Sequence, residues 1–232
     1  MVLRWRLVVT VLAVTMAACG GGGSGVDEDA VGPSPATGQE ADMATARTIV
    51  LQQADMPGGW RGIAHSESPT EKARSRDLSI CIGRGDPETS RRALVYGPDL
   101  SLGQMQVSSI ATVVNTVEDA RGDLEAVRGP KFGECTVAAF RDDLRRQAPD
   151  ARVEAVASEP LPVESFGDGS VGVRLTANLV YPDRTERLFA DLIYISKNRA
   201  TVSATFFSYL QPFPATLQQS LVARMGNRIA AA

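Results

Sequence analysis

Two stretches near the C-terminus of this chain alternate apolar and polar side chains, and nothing else in the sequence constrains the fold as tightly. Val171, Val173, Leu175, Ala177 and Leu179 form the first series. Ala200, Val202, Ala204 and Phe206 form the second, with Thr201, Ser203, Thr205 and Phe207 between them. A period of two puts successive side chains on opposite faces, which is the signature of a strand. Phe189 to Ile195 supplies a strand between the two series, with "YPDRT" and "KNR" as the turns. Short turns make consecutive strands antiparallel, and one apolar plus one polar face predicts a sheet covered on one side.

The remaining periodicities supply layers for that sheet. "QMQVSSIATVVN" predicts another strand, with Met105, Val107, Ser109, Ala111 and Val113 on one face. A helix follows, capped by Asn115 or Thr116, with Val117, Ala120, Leu124 and Val127 as its stripe. Gly129 closes it and Pro130 opens the next, whose buried side is Phe132, Cys135, Ala139, Phe140 and Leu144. A closing helix from about Pro214 repeats apolar residues at Leu217, Leu221, Met225 and Ile229. A short helix is expected around Ala44–Ala54, ended by Pro57 and Gly58-Gly59, with a weak strand from Trp60. Pro69 to Gly85 reads as a charged, irregular loop. The fold class is therefore α+β: a twisted antiparallel sheet with helices packed on one face.

Upstream, the sequence addresses the chain. Arg4 and Arg6 precede an apolar run from Leu7 that ends in Ala17-Ala18-Cys19 and four glycines. A basic start followed by about 7–15 apolar residues is a secretory leader; about 20 are needed to span a bilayer. Met16-Ala17-Ala18-Cys19 resembles the lipobox of bacterial lipoproteins, with Met16 in place of the usual leucine. That resemblance implies cleavage before Cys19 and a diacylglyceryl group on its sulfur, with further acylation such as palmitate on the new amine; the alternative is ordinary cleavage without lipid. Two acyl chains are what stable anchoring requires.

"GGGGSGVDEDAVGPSPATGQEAD" follows and has almost nothing to bury. It reads as a spacer with a mean reach of about 26 Å. The expected organisation is a signal peptide at 1–18, the lipidated cysteine and tether at 19–42, and a single α+β domain at 43–232. Acidic residues outnumber basic ones, 27 to 24, and cleavage removes two arginines and no acid. That balance disfavours nucleic-acid binding. With Cys19 taken by lipid, Cys81 and Cys135 remain, and two cysteines in an exported domain predict one disulfide. The alternative is two buried free thiols.

The order of a helix, Asp55-Met56-Pro57-Gly58-Gly59-Trp60, Cys81, the "SSIATV" strand, the "EDA" helix, Cys135, a meander and a final helix resembles the secreted lipoproteins of mycobacteria and other actinobacteria. It looks like the group with Mog1/PsbP-like or kinase-sensor-like extracellular domains. The matching positions are Asp55, Pro57, Gly59, Trp60, Cys81 and Cys135, and the roles the resemblance implies for them are structural. Members of the group act as binding, sensing or scaffold modules. The kinase-sensor type carries two disulfides, and this chain has cysteines for one.

No constellation of catalytic residues stands out. His65 is the only histidine and lacks a nucleophile-elbow context. Cys81 and Cys135 lie too far apart, without a second histidine, for a paired zinc site. Asp142-Asp143 and Asp183 with Glu186 are carboxylate pairs that read as solvated faces. Arg84-Gly85-Asp86 is an adhesion-type tripeptide of low specificity, and Asp168 sits where a cation or a turn is conceivable. Phe206, Phe207, Tyr209 and Phe213 cluster where the last strand meets the last helix and define a candidate apolar pocket. The expected function is a lipid-anchored extracytoplasmic binding or sensing module of the cell envelope, on the outer face of the cell membrane. It needs no catalytic residue, metal or cofactor. Its partners would be the membrane through Cys19 and a lipid, a small apolar ligand or an envelope protein. The alternatives are an envelope-associated hydrolase and a structural partner of a membrane complex.

Overall fold

The computed structural model describes residues 35–232. The expected leader, the lipid-accepting Cys19 and the tether as far as residue 34 lie outside the described residues. Helix α1 (Pro35–Ile49) starts earlier than its apolar pattern predicts, inside the stretch read as tether. The reason is tertiary: Asp42 is buried, with one carboxylate oxygen 2.6 Å from Arg92 Nε and the other 2.7 Å from Arg199 Nη2. Strand β1 (Arg61–Ile63) follows. Helix α2 (Pro69–Cys81) then occupies the stretch expected to be a loop. Strands β2 (Arg91–Tyr96), β3 (Asp99–Leu102) and β4 (Met105–Val114) lead into helices α3 (Val117–Arg128) and α4 (Pro130–Gln147). Strands β5 (Arg152–Pro160), β6 (Gly169–Val180), β7 (Thr185–Lys197) and β8 (Ala200–Tyr209) precede the closing helix α5 (Ala215–Ala230).

The α+β class holds: the eight strands form one sheet, seven of them in the order β1-β3-β4-β8-β7-β6-β5 and β2 paired to β4 off that path, every pair antiparallel. β8 pairs with β4 along nearly its whole length, so β2 and β3 share the other edge of β4.

The register separates the two faces. Val107, Ala111 and Val113 of β4 lie opposite Phe206, Val202 and Ala200 of β8, and Ala204 lies opposite Ile193 of β7. These residues pack with Ile49 of α1, the following Val50 and Leu51, Trp60, Phe213, and Leu221, Val222, Met225 and Ile229 of α5. On the other face, Ala177 and Leu179 of β6 and Leu188 of β7 meet Leu144 of α4 and Ala148. Ala120, Leu124 and Val127 of α3 are buried on the same side. Helices therefore divide between both faces rather than sharing one. Alternation in β8 marks which face is more apolar; it does not mark the other as bare.

Two polar links fasten the first face. Arg228 of α5 grips Asp55 with both terminal nitrogens, at 2.8 and 2.5 Å, and donates to the Val50 carbonyl. Burial alone would raise the Asp55 carboxyl, but the bonds from Arg228 and the Gln52 amide outweigh it and hold the group below its ordinary range. In mid-sheet, Arg174 donates to both oxygens of the fully buried Asp191, which also accepts from Gln218 of α5 at 2.8 Å. The segment between β5 and β6 folds over this face too. A Cβ on Gly226 would sit 2.2 Å from a ring carbon of Phe166, so only glycine lets α5 and that ring meet.

Candidate functional site

The segment 61–92 behaves unlike the rest of the domain. No residue in it belongs to either apolar cluster, and α2 itself buries none. Its helix forms for local reasons. Ser68 caps it through Glu71 N at 3.2 Å, Glu71 returns the bond to Ser68 N at 2.7 Å, and Pro69 occupies the first turn. A helix of this length is marginal alone in water. Discrete pins hold it instead.

The largest pin is covalent. Cys81, at the end of α2, is bonded to Cys135 of α4. Arg74 pairs with Asp143 further along α4, so the two helices run antiparallel. On the entry side, Glu67 accepts from the Tyr96 hydroxyl, and the His65 ring stacks on Tyr96 at 4.4 Å between centroids. His65 Nδ1 lies 3.0 Å from Asp99. On the exit side, Arg84 donates to Asp123 of α3 at 2.7 Å and to the Asp119 carbonyl at 3.0 Å. Its guanidinium lies against Gly122, where a Cβ would come within 2.5 Å.

Tyr96 pairs with Ile110 in the register, so the entry pins sit on the same sheet face as α3 and α4. α4 covers β5 and β6 of that face, and α3 covers β6 and β7. The excursion thus runs from β2 to α4 and back to α3. On the same sheet face Ser108 and Thr112 of β4 and Ser203 and Thr205 of β8 lie opposite or diagonal to one another, all half-buried, with Ile110 between them opposite Ser203. Tyr194 lies across from Ser203, and its buried hydroxyl finds no hydrogen-bond partner among the described residues. Burial first, then the Asp123 carboxylate, pushes that phenol well above its ordinary value. Burial also raises Asp123 despite Arg84 beside it. The arrangement is a polar, hydroxyl-bearing floor on the sheet and a separate helix held along α4 at discrete pins.

The structure places the expected site residues as follows. Phe206 and Phe213 meet edge-to-face at 5.2 Å in the α1/α5 core, with Trp60 beyond. Phe207 and Tyr209 meet at 5.1 Å on the opposite sheet face. The four are not brought together, and Phe206 and Phe213 fill core space rather than line a pocket. A shallow recess of about 300 Å³ lies elsewhere, at the α3–α4 corner against β5 and β6, walled by Val127, Phe132, Pro160, Val171 and Val173. Asp168 accepts from the Asn198 amide at 2.6 Å and from Lys197 at 3.1 Å, so it fastens the β7–β8 turn. These bonds hold its carboxyl below the usual range. The Arg84-Gly85-Asp86 tripeptide is committed inward, Arg84 to α3 and Asp86 to capping the turn at Pro87–Thr89. Asp143 is paired with Arg74 and Arg146, and Asp183 and Glu186 with Arg184. Cys19 lies outside the described residues.

No family model matches the chain, and no curated protein matches it. Two solved structures align with most of the chain. One is the extracellular domain of PknH from Mycobacterium tuberculosis, at 9% identity and a TM-score of 0.39, over 82% of this chain and 97% of that one. The other is LpqN, involved in cell envelope biogenesis of Mycobacterium tuberculosis, at 10% identity and a TM-score of 0.32, over 79% of this chain and 87% of that one.

No helix among the described residues is long and apolar enough to cross a membrane. The hydroxyl floor was hidden from sequence reasoning for a simple reason. Ser203 and Thr205 look like the solvated side of a strand until they are seen to share a half-buried face with Ser108 and Thr112.

Proposed function

We propose that the protein is a lipid-anchored, extracytoplasmic module of the cell envelope that binds a ligand on the hydroxyl floor of β4 and β8. The observation that carries this reading is the combination of Ser108, Thr112, Ser203 and Thr205 on one half-buried sheet face. Such a face provides donors and acceptors for a polar partner without first unpacking apolar contacts. The disulfide supports an oxidising compartment. The leader and the Met16-Ala17-Ala18-Cys19 box support export and acylation at Cys19.

Two measurements test the reading. Protein extracted from its own envelope in mild detergent and weighed by native mass spectrometry should carry a bound mass that Ser203→Trp abolishes. Equal loading of both proteins would contradict a site on the floor. Cys19→Ser should end fatty-acid incorporation and release the protein from membranes; a variant that stays lipidated removes the anchor from the reading.

A further inference from the structure

We infer that the recess at the α3–α4 corner is a second binding site, separate from the floor, and that it takes a single-chain alkyl carboxylate, with the chain on Val171 and Val173 and the carboxylate on Arg128.

The site follows from one row of β6. Gly169, Val171 and Val173 alternate onto the face that α3 and α4 cover, a row about 13 Å long. Its Val173 end is apolar, flanked by Phe132 of α4 and by Pro160, which pairs with Val173 across the strands. Its other end has no side chain of its own. The Arg128 guanidinium takes that place: a Cβ on Gly169 would overlap its Nη2 and lie 3.1 Å from its Cζ. A cation is therefore laid at the head of an apolar strip.

The charges decide the ligand. Glu159 borders the recess, but in the register it pairs with Arg174, which is turned to Asp191 and α5 on the opposite face. The Glu159 carboxylate acts on Arg174 there, which leaves Arg128 as the charged side chain facing the recess. Arg74 and Arg84 are tied to Asp143 and Asp123, whereas the Arg128 side chain has no ion pair or hydrogen bond among the described residues. Two parallel N–H groups of a guanidinium match the two oxygens of one carboxylate. Volume sets the rest. About 300 Å³ is at the small end of ligand sites, room for one alkyl chain and not for a two-chain lipid. Val171 and Val173 are half-buried, so a chain laid on them removes further apolar surface from water.

The test is equilibrium dialysis of radiolabelled decanoate against the full chain in dodecyl maltoside micelles at neutral pH, with protein-free micelles as the blank. Decanoate should bind saturably, displaced by unlabelled decanoate but not by acetate, which lacks the chain, nor by decanol, which lacks the charge. Arg128→Gln should weaken binding about tenfold or more, the loss of a charge-assisted pair. Arg128 is exposed, so that variant keeps the fold. Val173→Trp, which fills the apolar end, should abolish binding. Absence of saturable binding overturns the inference. So does an Arg128→Gln protein that binds as the parent does, because the head is then held elsewhere. Displacement by decanol equal to that by decanoate overturns the carboxylate. Ser203→Trp, on the floor, should bind decanoate as the parent does; loss there places the chain on the floor and overturns the recess. Decanoate binding by a protein that carries no bound mass from its envelope would remove the floor reading and leave the recess standing.

Discussion

The face of the sheet beneath α1 and α5 and the excursion around α2 are parts of one chain held by different physics. The first is apolar burial: Phe206, Leu221, Met225 and Ile229 are removed from water together, and buried ion pairs fasten the seams. The second gives no residue to either apolar cluster and is held at points, by one disulfide, a capping box, a stacked ring and ion pairs. Burial is distributed and lost gradually; pins are local and each can be pulled separately. A domain that keeps both can have a rigid frame and a movable part without a second core.

The contrast can be broken most forcefully in the core. Phe206→Ala should cost about 3–5 kcal/mol in denaturant unfolding, since a fully buried ring leaves a cavity that Trp60 and Phe213 cannot fill. A loss under 1 kcal/mol would mean this face is not the frame. Arg228→Met should cost about 3 kcal/mol at neutral pH, because it leaves the buried Asp55 carboxylate with only the Gln52 amide and the more distant Arg224.

The pH dependence sharpens that result. Asp55 has its folded value held below the ordinary 3.8, as does Asp42, whose burial is outweighed by bonds from Arg199 and Arg92. Their stabilisation is full above the ordinary carboxylate value and is lost as pH falls through the lower folded value. Arg228→Met should therefore lose less stability on acidification than the parent, and a parallel decline would contradict the pairing. Gly226→Ala should cost about 1–3 kcal/mol, because the added methyl meets the Phe166 ring and outweighs the gain in helix propensity. At the small end, Ile80→Ala in α2 should stay within about 0.5 kcal/mol, since that side chain is 51% exposed.

The same contrast decides what was legible in the sequence. β6, β8, α3, α4 and α5 are readable because each buries a periodic stripe, as Leu217, Leu221, Met225 and Ile229 do on α5. The α2 helix leaves no stripe because it buries no residue, and the reading of Pro69 to Gly85 as a loop misses its one local signal, the Ser68–Glu71 box. The early start of α1 rests on Asp42 meeting Arg92 and Arg199, residues far apart in sequence. The Cys81–Cys135 pair followed from cysteine arithmetic, but its consequence depends on where α2 runs. Of the candidate site, the aromatic cluster was visible and is split between two faces. The hydroxyls of Ser203 and Thr205 were visible and acquire meaning only from the half-buried face they share with Ser108 and Thr112.

The most direct measurement is residue-resolved amide hydrogen exchange on the parent and on Cys81→Ser/Cys135→Ser at neutral pH. Amides of residues 70–82 should lose protection on removal of the disulfide, while those of Val202–Phe206 and Leu221–Ile229 keep theirs to within a few-fold. A uniform loss across both regions would show a single cooperative unit and contradict the division. Unchanged protection in α2 would show that the pins other than the disulfide suffice, and would contradict it equally.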